Sequence, residues 1–569
     1  MSGAVTAERH PAEGGRLAAG VRRLRGPLPV CLAAAFLASL ALLLVFDSHL
    51  TFYGDDWWFL IYRRGWSPAV FLDPHLDHIA IAPILAYKVL VAIFGMRSAM
   101  PFHVLATLVF ALGAGLLFAY VRRRVGRWLA LMGAALILFF GPSWIDLLWA
   151  FQLGYFGSIA AGLGALLALD RDQRAGDVLA CVLLVVANSF SELGIPFAIG
   201  ALVAVALRRP LRPGRLYVAL VPLGLYAVWW LGWGHTAKSL FSLHNVANSP
   251  GYVIDAAAAG ISALVGLTTS LDGNPASSAA LGWGRPLLLA AVLLAGWRLW
   301  RLRGVPRGVW VAVAIGATFW FGAAFNTGIG RPPDNGRYLY PSAVFVVLIA
   351  AEVLRGATLR TRGLLAAGAI TAAALVSNLA ALHDGYKYWK GGNDQVRADL
   401  AALEVARPAV KPGYTLGPQI SGIWLLPVNA KAYYSAVDAF GSPAYTQSQL
   451  RSRSEAEREE ADRVLAAAVG LGLRPARGSA PGPCRVVPAS RGGRAALTLG
   501  AGRATLEARG AAPIAVSAGR FSARAPVDLG PLKPGRAVSL TIPADRSTRP
   551  WHLGLRGYGE VRVCGADAP

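Results

Sequence analysis

Thr51-Phe52-Tyr53-Gly54-Asp55-Asp56-Trp57-Trp58 follows closely on a charge-free run from Gly26 to Phe46. A run of that length suffices for a membrane helix, which needs about 20 apolar residues. Two adjacent carboxylates therefore stand, among aromatics, where a helix leaves the bilayer. Trp and Tyr gather at headgroup level in any membrane protein, so a solvated interfacial loop accounts for the stretch in the simplest way. Carboxylates at a membrane edge cost free energy unless solvated or paired, which makes the same pair a functional candidate.

The rest of the composition fits that beginning. The 569-residue chain is 55% hydrophobic and only 15% charged, with mean hydropathy +0.47. Soluble domains carry about 25% charged residues. The expected class is a polytopic α-helical membrane protein with a soluble part. The net charge of +24 does not imply nucleic acid, because many arginines lie in short clusters between apolar runs, where cytoplasmic loops concentrate them. Arg16, Arg22, Arg23 and Arg25 precede the first run. That run exceeds the apolar core of a signal peptide, about 7–15 residues, so it reads as an uncleaved span behind a cytoplasmic tail, 1–26.

Loop charge orders the remaining spans. Arg122, Arg123, Arg124 and Arg127 follow Met100–Val121, so only one crossing fits between Phe46 and Arg122. His78–Gly95, which carries Lys88 and Pro83, is then a helix on the outer interface, and residues 47–99 form one large outer loop. The next runs are Trp128–Ile145, Leu147–Leu169, Val178–Ser191, Leu193–Leu207 and Leu216–Trp233. Tyr252–Leu271 is assigned to the outer surface by the same parity rule. Leu287–Trp300, Val309–Phe325, Tyr338–Ala351 and Leu364–Leu382 complete the set. The count is about eleven spans, N-terminus in and C-terminus out, by the positive-inside rule.

The transmembrane part thus covers 27–383. Residues 384–483 read as a mixed extracytoplasmic region, with an exposed helix over Ser454–Gly470. Residues 484–569 show short alternating runs, such as Ala495–Leu499 and Ala537–Ile542, punctuated by Gly and Pro. That pattern predicts a small β-sandwich. Cys484 and Cys564 near its two ends read as a disulfide on an oxidising side, against the alternative of two free thiols. Cys31 and Cys181 lie inside apolar runs and read as packing residues.

Polar groups of chemical interest all fall on the outer side of this topology: Asp55, Asp56, His75, Asp77, His78, Asp146, Gln152, Asn188, Ser191, Glu192, Asn326, Arg331, Asp334, Asn335, Arg337 and Tyr338. Such convergence is what a site at the interface requires, although outer loops are polar in general. No GxxxxGK[ST] phosphate loop and no HExxH zinc motif occurs. His75 and His78 at i, i+3 are a weak metal signal, so no metal site is expected. Adjacent carboxylates diverge by about 100° on a helix and face opposite ways on a strand. Asp55 and Asp56 therefore do not form the paired carboxylates of a glycosidase, which flank one bond; one acts and the other positions.

Several short motifs carry a resemblance: Tyr53-Gly54-Asp55-Asp56-Trp57, then His75-Leu76-Asp77-His78-Ile79-Ala80, then Ser189-Phe190-Ser191-Glu192, then Gly336-Arg337-Tyr338-Leu339-Tyr340-Pro341. In order and topology the first 385 or so residues resemble the GT-C fold glycosyltransferases. These include protein O-mannosyltransferases, aminoarabinose transferases of the lipid A type and bacterial RgtA/B/C/D-like transferases. The C-terminal segment resembles outer β-domains of some actinobacterial membrane transferases. The resemblance implies an inverting hexosyl- or pentosyltransferase that uses a polyprenyl-phosphate sugar as donor, with a loop Asp as general base, which maps to Asp55 or Asp56. It implies cationic support for the departing phosphate, for which Arg337 is the first candidate and Arg331 the second. Tyr338 is a candidate for sugar or phosphate contact, and His75, His78 and Glu192 for acceptor or phosphate contact. His78 stands where some relatives carry Arg. No cofactor is expected, and a divalent metal is not indicated.

The expected partners are the lipid-linked donor, membrane lipids and a glycan, lipid or protein acceptor of the cell envelope. The expected location is the plasma membrane, with site and C-terminal domain outside. Two other classes fit a polytopic chain. A transporter or lipid flippase calls for mid-membrane charges and repeated halves, and neither is evident. A non-catalytic envelope-assembly protein would keep the fold without the chemistry.

Overall fold

The structure is a computed structural model that describes residues 27–567, apart from 211, 272–273, 329–330, 418–426, 479–481 and 493–494. The expected cytoplasmic tail, 1–26, lies outside the described residues. The main helices in chain order are α1 (Pro27–Asp47), α2 (Asp55–Ile61), α3 (Ile81–Phe94), α4 (Met100–Val125), α5 (Arg127–Leu138), α6 (Leu153–Leu169), α7 (Arg174–Phe190), α8 (Gly194–Ala206), α9 (Tyr217–Gly232), α10 (Leu243–Leu264), α11 (Leu281–Arg301), α12 (Arg307–Phe325), α13 (Gly336–Val353), α14 (Thr361–Ala406), α15 (Ala430–Phe440) and α16 (Glu455–Val469). Helical structure stands at each of the eleven expected span positions. Among the described residues seven segments are long and apolar enough to cross a membrane: Pro27–Asp47, Met100–Val125, Arg127–Leu147, Ala150–Leu169, Arg307–Phe325, Gly336–Val353 and Thr361–Ala409.

Charge is sorted to the two ends of this bundle. At one end lie the turns that carry Arg122–Arg124, Asp170–Asp172, Arg208–Arg215, Arg307 and Arg355. Arg124 ties three of them together, bonding Glu352 at 2.5 Å and Asp170 at 3.0 Å. At the other end lie the first loop and the segments around Ser143, Gln152, Glu192, Asn326 and Arg337. Small residues let the helices approach closely between these ends, as membrane helix packing favours. Gly141 is an instance: a Cβ there would fall 1.7 Å from the Asn378 carbonyl.

Two elements lie across the second end. α3 begins beside His78 and ends at Gly95, after which the Met96 amide donates to the Phe440 carbonyl at 2.8 Å. α10 starts with Asn245 donating to the carbonyls of Phe325 and Thr327. Past its C-terminus, Gly266 accepts from Ser377. Both ends of α10 thus meet the same end of the bundle, and its second half, Ala256–Leu264, is buried there.

The composition break at Asp384 is not a helix end. α14 runs unbroken for 46 residues, about 69 Å at 1.5 Å per residue, well beyond a hydrocarbon core of about 30 Å. Gly385 does not interrupt it because the flat face of Trp144 packs there, 2.1 Å from where a Cβ would stand. Its second half buries Trp389, Val396, Leu400 and Leu403 and becomes the central rod of the region that follows the bundle. α16 packs alongside, its N-terminus closed by a Ser454–Glu457 capping box.

Four short strands come first, β1 (Thr268–Leu271), β2 (Asn274–Ala279), β3 (Thr415–Leu416) and β4 (Val428–Asn429), and the C-terminal strands are β5 (Leu473–Pro475), β6 (Cys484–Pro488), β7 (Ala495–Arg509), β8 (Ile514–Gly519), β9 (Val527–Leu532), β10 (Ala537–Ile542), β11 (Trp551–Arg556) and β12 (Glu560–Asp567). All eight belong to one hydrogen-bonded sheet rather than two separate ones. The fifteen-residue β7 causes this, pairing with β11 along its first part and with β10 and β12 along its second. Cys484 and Cys564 are bonded and pair across β6 and β12. β6 is an exposed strand held by β12, so the disulfide fixes an edge. The double substitution Cys484→Ser with Cys564→Ser is expected to lower the stability of this domain by about 2–4 kcal/mol, the usual range for a native disulfide. Limited proteolysis with thermal unfolding reads it, with cleavage appearing first between residues 476 and 494.

Candidate active site

The first loop is built around a sharp turn. Gly54 has φ +46° and starts α2, so the two aspartates leave the backbone in different directions. Asp56 turns inward. Its Oδ2 accepts from the Tyr53 amide at 2.9 Å, and the Tyr87 hydroxyl donates a short hydrogen bond to Oδ1. Burial pushes the Asp56 carboxyl up to about 6, against the pull of Tyr87, the Tyr53 amide and His103. With both oxygens engaged, Asp56 holds the turn together.

Asp55 faces the other way. Its Oδ1 lies 3.3 Å from Nε2 of His75, and both groups are nearly enclosed. The His75 ring is packed against Phe59 and Phe151, with centroids 5.0 and 5.3 Å away. His75 and His78 do not share a helix face. Their backbones bond reciprocally, at 2.8 and 2.9 Å, in a tight turn with Leu76 at φ +56°. The turn sends His75 toward Asp55 and His78 into a separate chain of charges.

That chain is continuous. His78 Nδ1 lies 2.8 Å from Glu192, and its Nε2 lies 3.0 Å from Asp77. Arg331 reaches the other Asp77 oxygen at 3.0 Å. An imidazole between two carboxylates must present a proton on each nitrogen, so it is the imidazolium that fits. Burial opposes that charge, but Glu192 first and Asp77 next outweigh it and raise His78 to about 10. Burial likewise opposes the Asp77 charge, and the bonds from His78 and Arg331 overcome it, holding its carboxyl well below the ordinary range.

These groups line a cavity of about 260 Å³ together with Arg337, Tyr338 and Tyr155. Its remaining wall is mostly apolar, from Leu193, Ile195, Pro196, Phe319 and Ala323, with Thr318 and Asn326 as polar members. Five of the sequence candidates, His78, Glu192, Arg331, Arg337 and Tyr338, are thus brought to one cavity. Asp55, Asp56 and His75 are not part of its lining and form an adjoining cluster. Trp149 joins the two. Its Nε1 donates to the Tyr53 carbonyl at 3.2 Å, and its ring edge packs on Gly54. The Arg337 guanidinium lies 5.4 Å from the centre of the Trp149 rings, within cation–π range.

Arg337 differs from Arg331 in one respect. Arg331 is matched by Asp77, whereas Arg337 makes no ion pair among the described residues, and its Nε is buried without a hydrogen-bond partner. It is within electrostatic reach of Asp55 and of Asp146. Asp146 is fully buried, and its Oδ2 accepts from Ser143. Asp77, Trp149 and Asp146 had no assigned role in the sequence reading. Asp77 is adjacent to His78, which was the available signal; nothing in the sequence marks Trp149 out from sixteen other tryptophans. Among the described residues no group of three His, Cys, Asp or Glu is arranged to hold a metal ion.

No protein-family profile matches the chain, and no curated protein matches it in sequence.

The ion chain has a pH signature. A histidine whose folded value is raised gives stability that is whole below its unfolded value, about 6.5, and fades as pH rises through about 10. The depressed Asp77 gives stability that is whole above the ordinary carboxylate range and is lost in acid. The thermal midpoint is therefore expected to fall from about pH 6.5 upward and to keep falling until about pH 10. In Glu192→Gln the fall is expected to start at the same pH but to be smaller and to end at a lower pH, because the largest influence raising His78 is gone. A wild-type and variant pair with superimposable pH profiles would contradict the linkage.

Proposed function

We propose that the protein is a membrane glycosyltransferase of GT-C type, moving a sugar from a polyprenyl-phosphate donor to a hydroxyl acceptor at the outer face of the plasma membrane. The observation that carries this reading is the cavity with one polar and one mostly apolar wall, in which the unpaired Arg337 stands beside the Asp55 loop. A lipid phosphate has that division: an anion at the headgroup level and a chain in the hydrocarbon.

In this reading Asp55 is the general base and Asp56 positions it. The acceptor hydroxyl attacks the anomeric carbon, the bond from that carbon to the phosphate oxygen breaks with inversion, and the hydroxyl proton passes to Asp55. Polyprenyl phosphate leaves with the bonding electrons. Arg337 takes up the added charge, since a guanidinium binds phosphate oxygens in a fork. Trp149 fixes the guanidinium relative to the loop. Arg331 and His78 are each held by a carboxylate, so they shape the cavity and contribute positive potential rather than a free charge. The acceptor is a glycan, lipid or protein of the cell envelope, and the β-domain stands on the same outer side.

The test is transfer from labelled polyprenyl-phosphate hexoses and pentoses by purified protein in lipid. Asp55→Asn is expected to lower kcat by about 10²–10⁴, the usual worth of a positioned base, with little change in KM. Asp56→Asn is expected to cost less activity and to lower the thermal midpoint. Transfer unchanged in both variants would remove the proposed chemistry. Arg337→Lys is expected to lower transfer although the charge is kept, because an ammonium lacks the fork.

A further inference from the structure

The arginine end of the bundle holds two adjoining cavities that differ in charge balance. The smaller, about 200 Å³, is lined by Arg124, Arg355, Glu352 and Tyr120 among others. Arg124, Arg355 and Glu352, which line it alone, are matched within the fold, and it shares Asp170, Arg208 and Arg307 with its larger neighbour. Arg124 bonds Glu352 and Asp170, and Arg355 lies 3.5 Å from Glu352. The Glu352 carboxylate is let in by Gly308, where a Cβ would fall 2.0 Å from it.

The larger cavity, about 340 Å³, is not matched. Arg208, Arg209, Arg212, Arg215 and Arg307 line it, facing Asp170 and Asp172. Asp170 is committed to Arg124 and Arg123. Asp172 is shared between Arg208 and Arg215, and Arg215 also holds Asp177. Arg212 and Arg307 make no ion pair among the described residues, and Arg209 reaches only the carbonyls of Ala206 and Arg208, at 3.4 and 3.5 Å. Burial first, and then the guanidinium groups of Arg215, Arg212 and Arg307, lower the proton affinity of Arg208.

The positive-inside tendency explains arginines in these loops, but not their convergence on one concavity where they repel each other. A polyanion with several oxygens removes that repulsion. We propose that this cavity binds a phosphate group, carried by an anionic lipid of the adjoining leaflet or present as free phosphate. Each unmatched guanidinium offers a two-pronged donor set to phosphate oxygens. Basic concavities between membrane helices are where anionic headgroups lodge. Glu352, at the adjoining smaller cavity, stands fifteen residues along α13 from Arg337, about 22 Å. The phosphate site depends on the chain spanning a membrane and not on the transferase reading.

The experiment uses the full chain in nanodiscs of phosphatidylcholine with and without phosphatidylglycerol, followed by native mass spectrometry of retained lipid. Wild type is expected to keep phosphatidylglycerol in preference to phosphatidylcholine. Arg212→Gln with Arg307→Gln is expected to lower that retention about 30-fold, taking each arginine at its usual surface contribution. Arg360→Gln with Arg362→Gln, which changes two exposed arginines outside the cavity lining, is expected to leave it intact. Far-UV circular dichroism checks that both variants fold. A second arm adds inorganic phosphate to protein in phosphatidylcholine alone. A rise in thermal midpoint that the Arg212, Arg307 variant lacks, without lipid retention, assigns the cavity to free phosphate. Equal loss of lipid in both double variants, or no response to either probe, overturns the proposal.

Discussion

An ionised group inside an apolar bundle must be matched or must face water, and this constraint organises the whole molecule. The helices carry long charge-free stretches, and the charges they cannot hold are driven to the two ends. At each end the charges are then sorted again, into those neutralised within the fold and those left over. Arg124 and Glu352 are the first kind; Arg212 and Arg307 are the second. At the opposite end His78 and Arg331 are matched by Glu192 and Asp77, and Arg337 is left over. Charges that a fold leaves unmatched in a concave surface are where its free energy of ligand binding is stored.

The positions of the helices were legible because apolar runs are long and their flanking arginines are conspicuous. Parity of loop charge set α3 and α10 apart from the expected spans, and the ends of both are bonded at the same end of the bundle. The end of α14 was not legible. Composition turns polar at Asp384, but helix propensity does not change there, and the helix is continued by burial against the region that follows the bundle, which no local window contains. The strands of the C-terminal domain were readable from alternation, whereas the joining of all eight into one sheet depends on β7 pairing along both halves, which is a long-range fact.

The candidate site divides in the same way. His78, Glu192, Arg331, Arg337 and Tyr338 could be gathered from sequence because each stands at the outward end of an apolar run. The different fates of Asp55 and Asp56 needed the backbone: Gly54 at positive φ turns one carboxylate toward Tyr87 and the other toward His75. The separate directions of His75 and His78 also needed the backbone, since Leu76 takes a left-handed conformation and makes the segment a turn. Trp149 lies far along the chain from both partners that it joins, and only tertiary packing brings it between the Tyr53 carbonyl and Arg337.

The unbroken α14 has a mechanical consequence. A flexible linker between a helix bundle and a following domain lets the two tumble separately; a continuous helix packed against both does not. Trp389, near the middle of α14, packs at a tilt against Tyr53 and Trp149, and the same helix carries Asn393, whose side chain accepts from the Thr51 amide at 2.8 Å. The loop that presents Asp55 is therefore fastened to the shaft rather than to either body alone. A displacement of the C-terminal region is carried by α14 to that loop and changes the geometry in which its carboxylates stand.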